Sequence, residues 1–139
     1  MVAGIPLSTV NVLAVLPAEE DRRSLRGIAA STDWEIGFAA GIAEARRALQ
    51  DASFGVVLSE PSVEDGHWED LLNELRKMTN PPPLIVAFRL ADERFWAEVL
   101  NRGGYDVLLK PLETREVLRI VDQAWQQWKS KLGLQAVAS

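Results

Sequence analysis

The sequence predicts a doubly wound α/β fold: a three-layer (βα)5 sandwich around a five-stranded parallel sheet, in the order 2-1-3-4-5. Three observations carry that prediction. Five short apolar runs recur along the chain, each followed by a stretch whose apolar residues have helical spacing. Most of these runs are continuously apolar, the pattern of strands covered on both faces. The intervals between them suit helical crossovers, which make neighbouring strands parallel and wind right-handedly. For five such strands 2-1-3-4-5 is the common doubly wound arrangement.

The elements follow in order. Residues 10–16 (VNVLAVL) form the first strand, ended by Pro17, which has no N–H for a ladder. Glu19, Glu20 and Asp21 open the first helix, where acids face the positive end of the macrodipole or cap it. Leu25, Ile28 and Ala29 line its inner face, and it should end near Ser31 to Asp33. Residues 34–39 alternate Trp34, Ile36 and Phe38, as a half-buried edge strand does. The alanine-rich stretch 41–51, with Ile42, Ala45 and Leu49 on one face, is the second helix. Residues 54–59 (FGVVLS) are the third strand, and 60–66 (EPSVEDG) have loop composition.

Trp68, Leu71, Leu72, Leu75 and Met78 place an amphipathic helix over 67–78. Asn80-Pro81-Pro82-Pro83 joins two strong elements and reads as a stiff connector, not a polyproline ligand. Residues 84–88 (LIVAF) are the fourth strand, and 91–102, with Phe95, Val99 and Leu100, the fourth helix, stopped at Gly103-Gly104. Residues 106–109 are the fifth strand and 113–131 the last and longest helix. The chain reads as a single domain over 1–139, with its core at about 10–131 and tails at 1–9 and 132–139.

Composition narrows the function. Apolar residues make up 47% and charged residues 25%, ordinary globular usage. A chain of this length buries roughly 70% of its unfolded surface and needs no staple. Cysteine is absent, which removes a disulfide framework and thiolate chemistry and fits a reducing cytoplasm. A formal charge of −5 without a basic tract argues against nucleic acid, and no apolar run reaches the length of a membrane span. The expectation is a cytoplasmic protein with no nucleic-acid or membrane partner.

The candidate site begins at Val107-Leu108-Leu109-Lys110-Pro111. An apolar strand ends in an ammonium, and Pro111 stops it. C-terminal strand edges are where open α/β sheets place their sites, although a solvated turn lysine is the usual fate of that residue.

The run Gly103-Gly104-Tyr105-Asp106-Val107-Leu108-Leu109-Lys110-Pro111-Leu112, together with Val12-Leu13-Ala14-Val15 and the third-strand run before Asp65-Gly66, resembles the receiver domain of bacterial two-component response regulators. The resemblance covers about residues 10–131 and implies a flavodoxin-like fold. It also implies a chemistry. An aspartate ending the third strand accepts a phosphoryl group, two acids ending the first strand hold Mg²⁺, and a hydroxyl residue and a lysine bind the phosphoryl oxygens while an aromatic switches.

Carried over residue by residue, little of that set remains. The acid pair falls on Leu16 and Pro17, the acceptor best on Glu60 or, aligned on Pro61, on Val57, the hydroxyl on Ala87 and the switch aromatic on Val107. Tyr105 lies two positions earlier, in the preceding loop. Lys110 alone matches. Without metal ligands the term that usually dominates such catalysis is gone, so no Mg²⁺, no other cofactor and no enzymatic activity are expected.

The remaining features are weighed against plainer roles. His67 is the single histidine and, without a ligand cluster or triad partner, reads as a helix-start surface residue. The last helix carries Val117, Leu118, Ile120, Val121, Ala124, Trp125 and Trp128, more apolar surface than one core face requires. Trp125 and Trp128, with Trp96 on the fourth helix, are therefore the candidate partner surface, although core packing is the ordinary role for some of them. In the resembled family that face is a common dimer or partner site.

The leading reading is a pseudo-receiver: a bacterial signalling module acting by protein–protein interaction, with a homodimer among the options, and independent of phosphorylation. The alternative is an active acceptor in which Glu19, Glu20 or Asp65 supplies displaced metal ligands. A small nucleotide-binding enzyme comes third, because Leu16-Pro17-Ala18-Glu19 is no Gly-rich phosphate loop. The reading also expects Glu60 and Lys110 to pair at the sheet edge across Ala87.

Overall fold

A computed structural model describes residues 9–138 of the chain. Its strands are β1 (Asn11–Val15), β2 (Glu35–Ala39), β3 (Val56–Ser59), β4 (Ser62–Val63), β5 (Gly66–His67), β6 (Leu84–Phe88) and β7 (Asp106–Leu109). Its helices are α1 (Glu19–Ala29), α2 (Ile42–Asp51), α3 (Trp68–Arg76), α4 (Glu93–Arg102) and α5 (Thr114–Ala138). The main sheet runs β2-β1-β3-β6-β7 with every pair parallel. That is the expected order, because β4 and β5 stand apart as a small antiparallel hairpin.

The hairpin corrects the plain loop expected at 60–66. Its turn is held by Asp65, whose carboxylate accepts hydrogen bonds from the Ile42 and Ala43 amides at 2.5 and 3.0 Å. Those are free N–H groups at the start of α2, so a turn acid here satisfies a helix end. The same bonds hold the Asp65 carboxyl below the ordinary carboxylate range, the Ala43 amide contributing most.

Two apolar layers enclose the sheet. On one side Leu25 and Ile28 of α1 and the inner face of α5 pack on Val12, Ala14, Val56, Leu58, Ile85, Ala87 and Leu108. On the other, α2, α3 and α4 cover Leu13, Val15, Val57, Val86 and Val107. Gly103 ends α4 in the left-handed region at φ 109°, a conformation that favours glycine.

The expectation that Trp125 and Trp128 form a surface is overturned: both are core residues, 3% and 6% exposed. The apparent apolar surplus on α5 was a single stripe. Val117, Ile120, Val121, Ala124, Trp125 and Trp128 follow i, i+3, i+4, i+7, i+8 and i+11, and all are buried. The two indoles stack with centroids 5.2 Å apart. They lie over Gly55, where a Cβ would collide with both rings. The Trp128 Nε1–H donates to the Asn80 carbonyl at 3.2 Å, which ties the proline connector to α5.

The C-terminal end also differs. α5 continues to Ala138, and Leu132, expected in a tail, packs against the core. No proline interrupts this stretch, and one glycine costs a helix only about 1 kcal/mol. Residues 1–8 and Ser139, expected as tails, lie outside the described residues.

Candidate functional site

The C-terminal edge of the sheet brings together three charged side chains from three elements. Glu60 is the first residue past β3, and its amide donates to the Val15 carbonyl at 3.3 Å. Lys110 follows β7, and its amide donates to the Phe88 carbonyl at 3.2 Å. Asp21 lies in the first turn of α1. Lys110 Nζ donates to Asp21 Oδ2 at 2.9 Å and also to Glu60 Oε1.

The ion pair expected between Glu60 and Lys110 is present, and Ala87 of β6 is fully buried. Side-chain exposures of 8% for Lys110, 14% for Asp21 and 17% for Glu60 take this cluster out of the class of surface salt bridges that contribute about 0–1 kcal/mol. Removing one partner would strand a desolvated charge, which is the costly case.

Asp21, expected to face the helix dipole or cap the helix, has Lys110 as its partner. Nor do the neighbouring acids cap the helix. Ala18 holds the N-cap position of α1, which has no side-chain cap bond, and Glu19 pairs with Arg26 at 3.0 Å on the surface. That pairing holds the Glu19 carboxyl below its usual range, the Arg26 hydrogen bond contributing most.

Leu16 is buried in the apolar layer and Pro17 is exposed, so neither offers an oxygen ligand from its side chain. The Leu16 carbonyl already accepts from Arg22 Nε at 2.6 Å. Among the described residues no group of three or more His, Cys, Asp or Glu side chains is placed to hold a metal ion. The residues present therefore do not fit the Mg²⁺ that the resemblance implies.

The two switch positions are not brought together. Ala87 packs in the α1/α5 layer and Val107 in the layer of α2, α3 and α4. Tyr105 precedes β7 and packs on the α1/α5 side. Burial raises its pKa, and the neighbouring Asp106 charge adds to the shift. His67 sits at the start of α3 and is exposed. Its ring Nδ1 lies 3.3 Å from Ser62 Oγ across the hairpin, and its amide donates to Asp70 Oδ2 at 2.9 Å.

Trp96 remains on the surface, 48% exposed, with Nε1–H donating to Asp106 Oδ1 at 3.0 Å. Leu90 and Leu109, which the sequence reading missed, are exposed as well. Trp96 and Leu109 line a shallow cleft of about 310 Å³ with Ala91, Val107 and Glu116. The signal for Leu109 was the strand order itself, since 2-1-3-4-5 leaves the fifth strand at an edge.

No family model matches the chain. Among curated proteins it is 29% identical over 96 residues to a Sinorhizobium fredii protein named "Probable transcriptional regulatory protein y4xI". That match takes in 69% of this chain and 42% of the relative, so the chain spans less than half of that protein's length. Among solved structures it is similar to the signal receiver domain of an HD domain-containing protein from Pseudomonas fluorescens Pf-5. There the TM-score is 0.81 and the identity 21%, over 95% of this chain and 97% of the other. It is also similar to the beryllofluoride-activated NtrC4 receiver domain dimer, at TM-score 0.76 and 19% identity, over 85% of this chain and 98% of the other. The chain has the fold of a response-regulator receiver domain.

Proposed function

We propose that the chain is a receiver-like module of a two-component signalling system that works in the cytoplasm by protein–protein contact and without phosphoryl transfer. The observation that carries this reading is at the acceptor position. Glu60 stands there in place of an aspartate, and its carboxylate is held by the Lys110 ammonium. A phosphoryl donor approaching this edge meets an acid already paired and no carboxylates at Leu16 and Pro17 to hold a counter-ion. Of the displaced acids Glu20 is exposed, and the other two have partners of their own. Glu19 is paired with Arg26, and Asp65 is committed to the α2 amides.

Support for a signalling role comes from the receiver fold and from the distant relative named as a transcriptional regulatory protein. The contact surface in this reading is the α4–β7 side, where Trp96, Leu90 and Leu109 are exposed. No helix among the described residues is long and apolar enough to cross a membrane.

The test is incubation with acetyl phosphate and Mg²⁺ followed by intact-mass measurement. No adduct is expected. A phosphate adduct that disappears in Glu60→Gln, Asp21→Asn or Asp65→Asn would overturn the reading.

A further inference from the structure

We propose that the Lys110 ammonium is the resident cation of a two-carboxylate site formed by Asp21 and Glu60, and that this edge takes a divalent cation only when Lys110 is removed. The inference concerns which cation the edge holds and does not depend on the signalling reading.

The first observation is geometric. Both carboxylates converge on one nitrogen, Asp21 at 2.9 Å and Glu60 within bonding distance, from elements far apart in sequence. Two carboxylates at such spacing repel unless a cation lies between them. Lys110 fills that role from within the chain, with its side chain 8% exposed.

The second observation is the disagreement with the metal ligands that the receiver resemblance implies. The positions for the acid pair are Leu16 and Pro17, and the backbone oxygen of Leu16 is occupied by the Arg22 guanidinium at 2.6 Å. Lys110 thus holds the two carboxylates, and the Leu16 carbonyl already accepts from Arg22. The donor set that remains if Lys110 is neutralised is one aspartate and one glutamate. One or two carboxylates completed by water is the kind of set that holds Mg²⁺ or Mn²⁺.

The third observation is charge. Two carboxylates and one ammonium leave the cluster at −1. Replacing Lys110 by methionine, unbranched and one atom shorter, removes the charge and leaves −2 in a mostly buried space. A divalent cation would neutralise it, which links cation binding to stability.

The experiment compares wild type with Lys110→Met by thermal melting and by Mn²⁺ broadening of amide resonances. Wild type is expected to show no saturable shift in Tm with Mg²⁺ or Mn²⁺ and no selective broadening at Asp21 and Glu60. Lys110→Met is expected to gain roughly 3–5 °C at a cation concentration about tenfold above its Kd, with broadening at both residues. The gain should vanish in Lys110→Met combined with Glu60→Gln or with Asp21→Asn.

A folded Lys110→Met protein with no saturable gain would overturn the proposal. So would saturable, Glu60-dependent Mn²⁺ binding by wild type. If Lys110→Met does not fold, the wild-type ¹⁵Nζ resonance of Lys110 decides instead. A slowly exchanging ammonium signal unchanged by a large excess of MgCl₂ supports a resident cation, and its loss on adding Mg²⁺ overturns it.

Discussion

Trp125→Ala tests the packing that removed two tryptophans from the surface. Trp125 is 3% exposed, stacks on Trp128 at 5.2 Å and covers Gly55. Truncating a core Trp to Ala costs about 3–5 kcal/mol. Part of that is the lost aromatic pair, worth about 0.5–1.5 kcal/mol beyond its area. At this chain length the cost corresponds to a fall in Tm of roughly 10–20 °C. In urea, with a slope of about 2 kcal/mol/M, the midpoint should drop by roughly 2 M.

Gly55→Ala makes the argument specific. A Cβ there would collide with the Trp125 and Trp128 rings, an overpacking cost of about 1–3 kcal/mol in the wild-type background. In Trp125→Ala much of that cost should disappear, giving a coupling of roughly 1 kcal/mol or more between the two sites. Trp96→Ala is the control. With Trp96 48% exposed and giving up one surface hydrogen bond, its stability should stay within about 1 kcal/mol of wild type. Urea unfolding of the five proteins reads all of this. If Trp125→Ala costs less than Trp96→Ala, or if Gly55→Ala costs the same in both backgrounds, the stack does not cover β3 as described.

Asp65→Asn should weaken the α2 start and the β4–β5 hairpin together. The Asp65 pKa is lowered in the folded chain, so its contribution is present above the ordinary value of 3.8 and fades as pH falls through the lower folded value. The stability gap between wild type and Asp65→Asn, measured by denaturant unfolding across pH, should therefore close in acid. A gap that stays constant down to pH about 2 would contradict the assignment. Gly103→Ala, at φ 109° beside Arg76, should cost about 1–3 kcal/mol. A loss below about 0.5 kcal/mol in the same assay would mean that α4 does not end in this conformation.

The strand order was legible because it depends on repeated, redundant signals: continuous apolar runs and crossovers of helical length. The hairpin at Ser62–Val63 and Gly66–His67 was not. Two-residue strands carry too little pattern to stand out from loop composition, and this one is positioned by Asp65 reaching 22 and 23 residues back to the α2 amides. Trp125 and Trp128 were misassigned for a different reason. Their positions belong to the buried stripe, but their bulk could be accommodated only because Gly55 leaves space on β3, and a glycine in one element does not announce the indoles of another.

The charged edge was half legible. Glu60 and Lys110 each end a strand, so topology alone set them on the same rim with Ala87 between them. Asp21 required the rotational phase of α1, and the sequence did contain it. Leu25 and Ile28 fix the helix's inner face, and Asp21 is four residues before the first and seven before the second, on that same face one turn earlier. An acid at the inward position of a first turn points toward the sheet, not toward solvent like Glu20. Buried carboxylates are paired, or else they protonate. Among the described residues the buried cation is Lys110, and it lies at the edge where α1 begins. The ammonium that follows β7 is thus engaged by two acids of its own chain. One carboxylate comes from the residue that follows β3, and the other from a helix face that an apolar residue could have occupied.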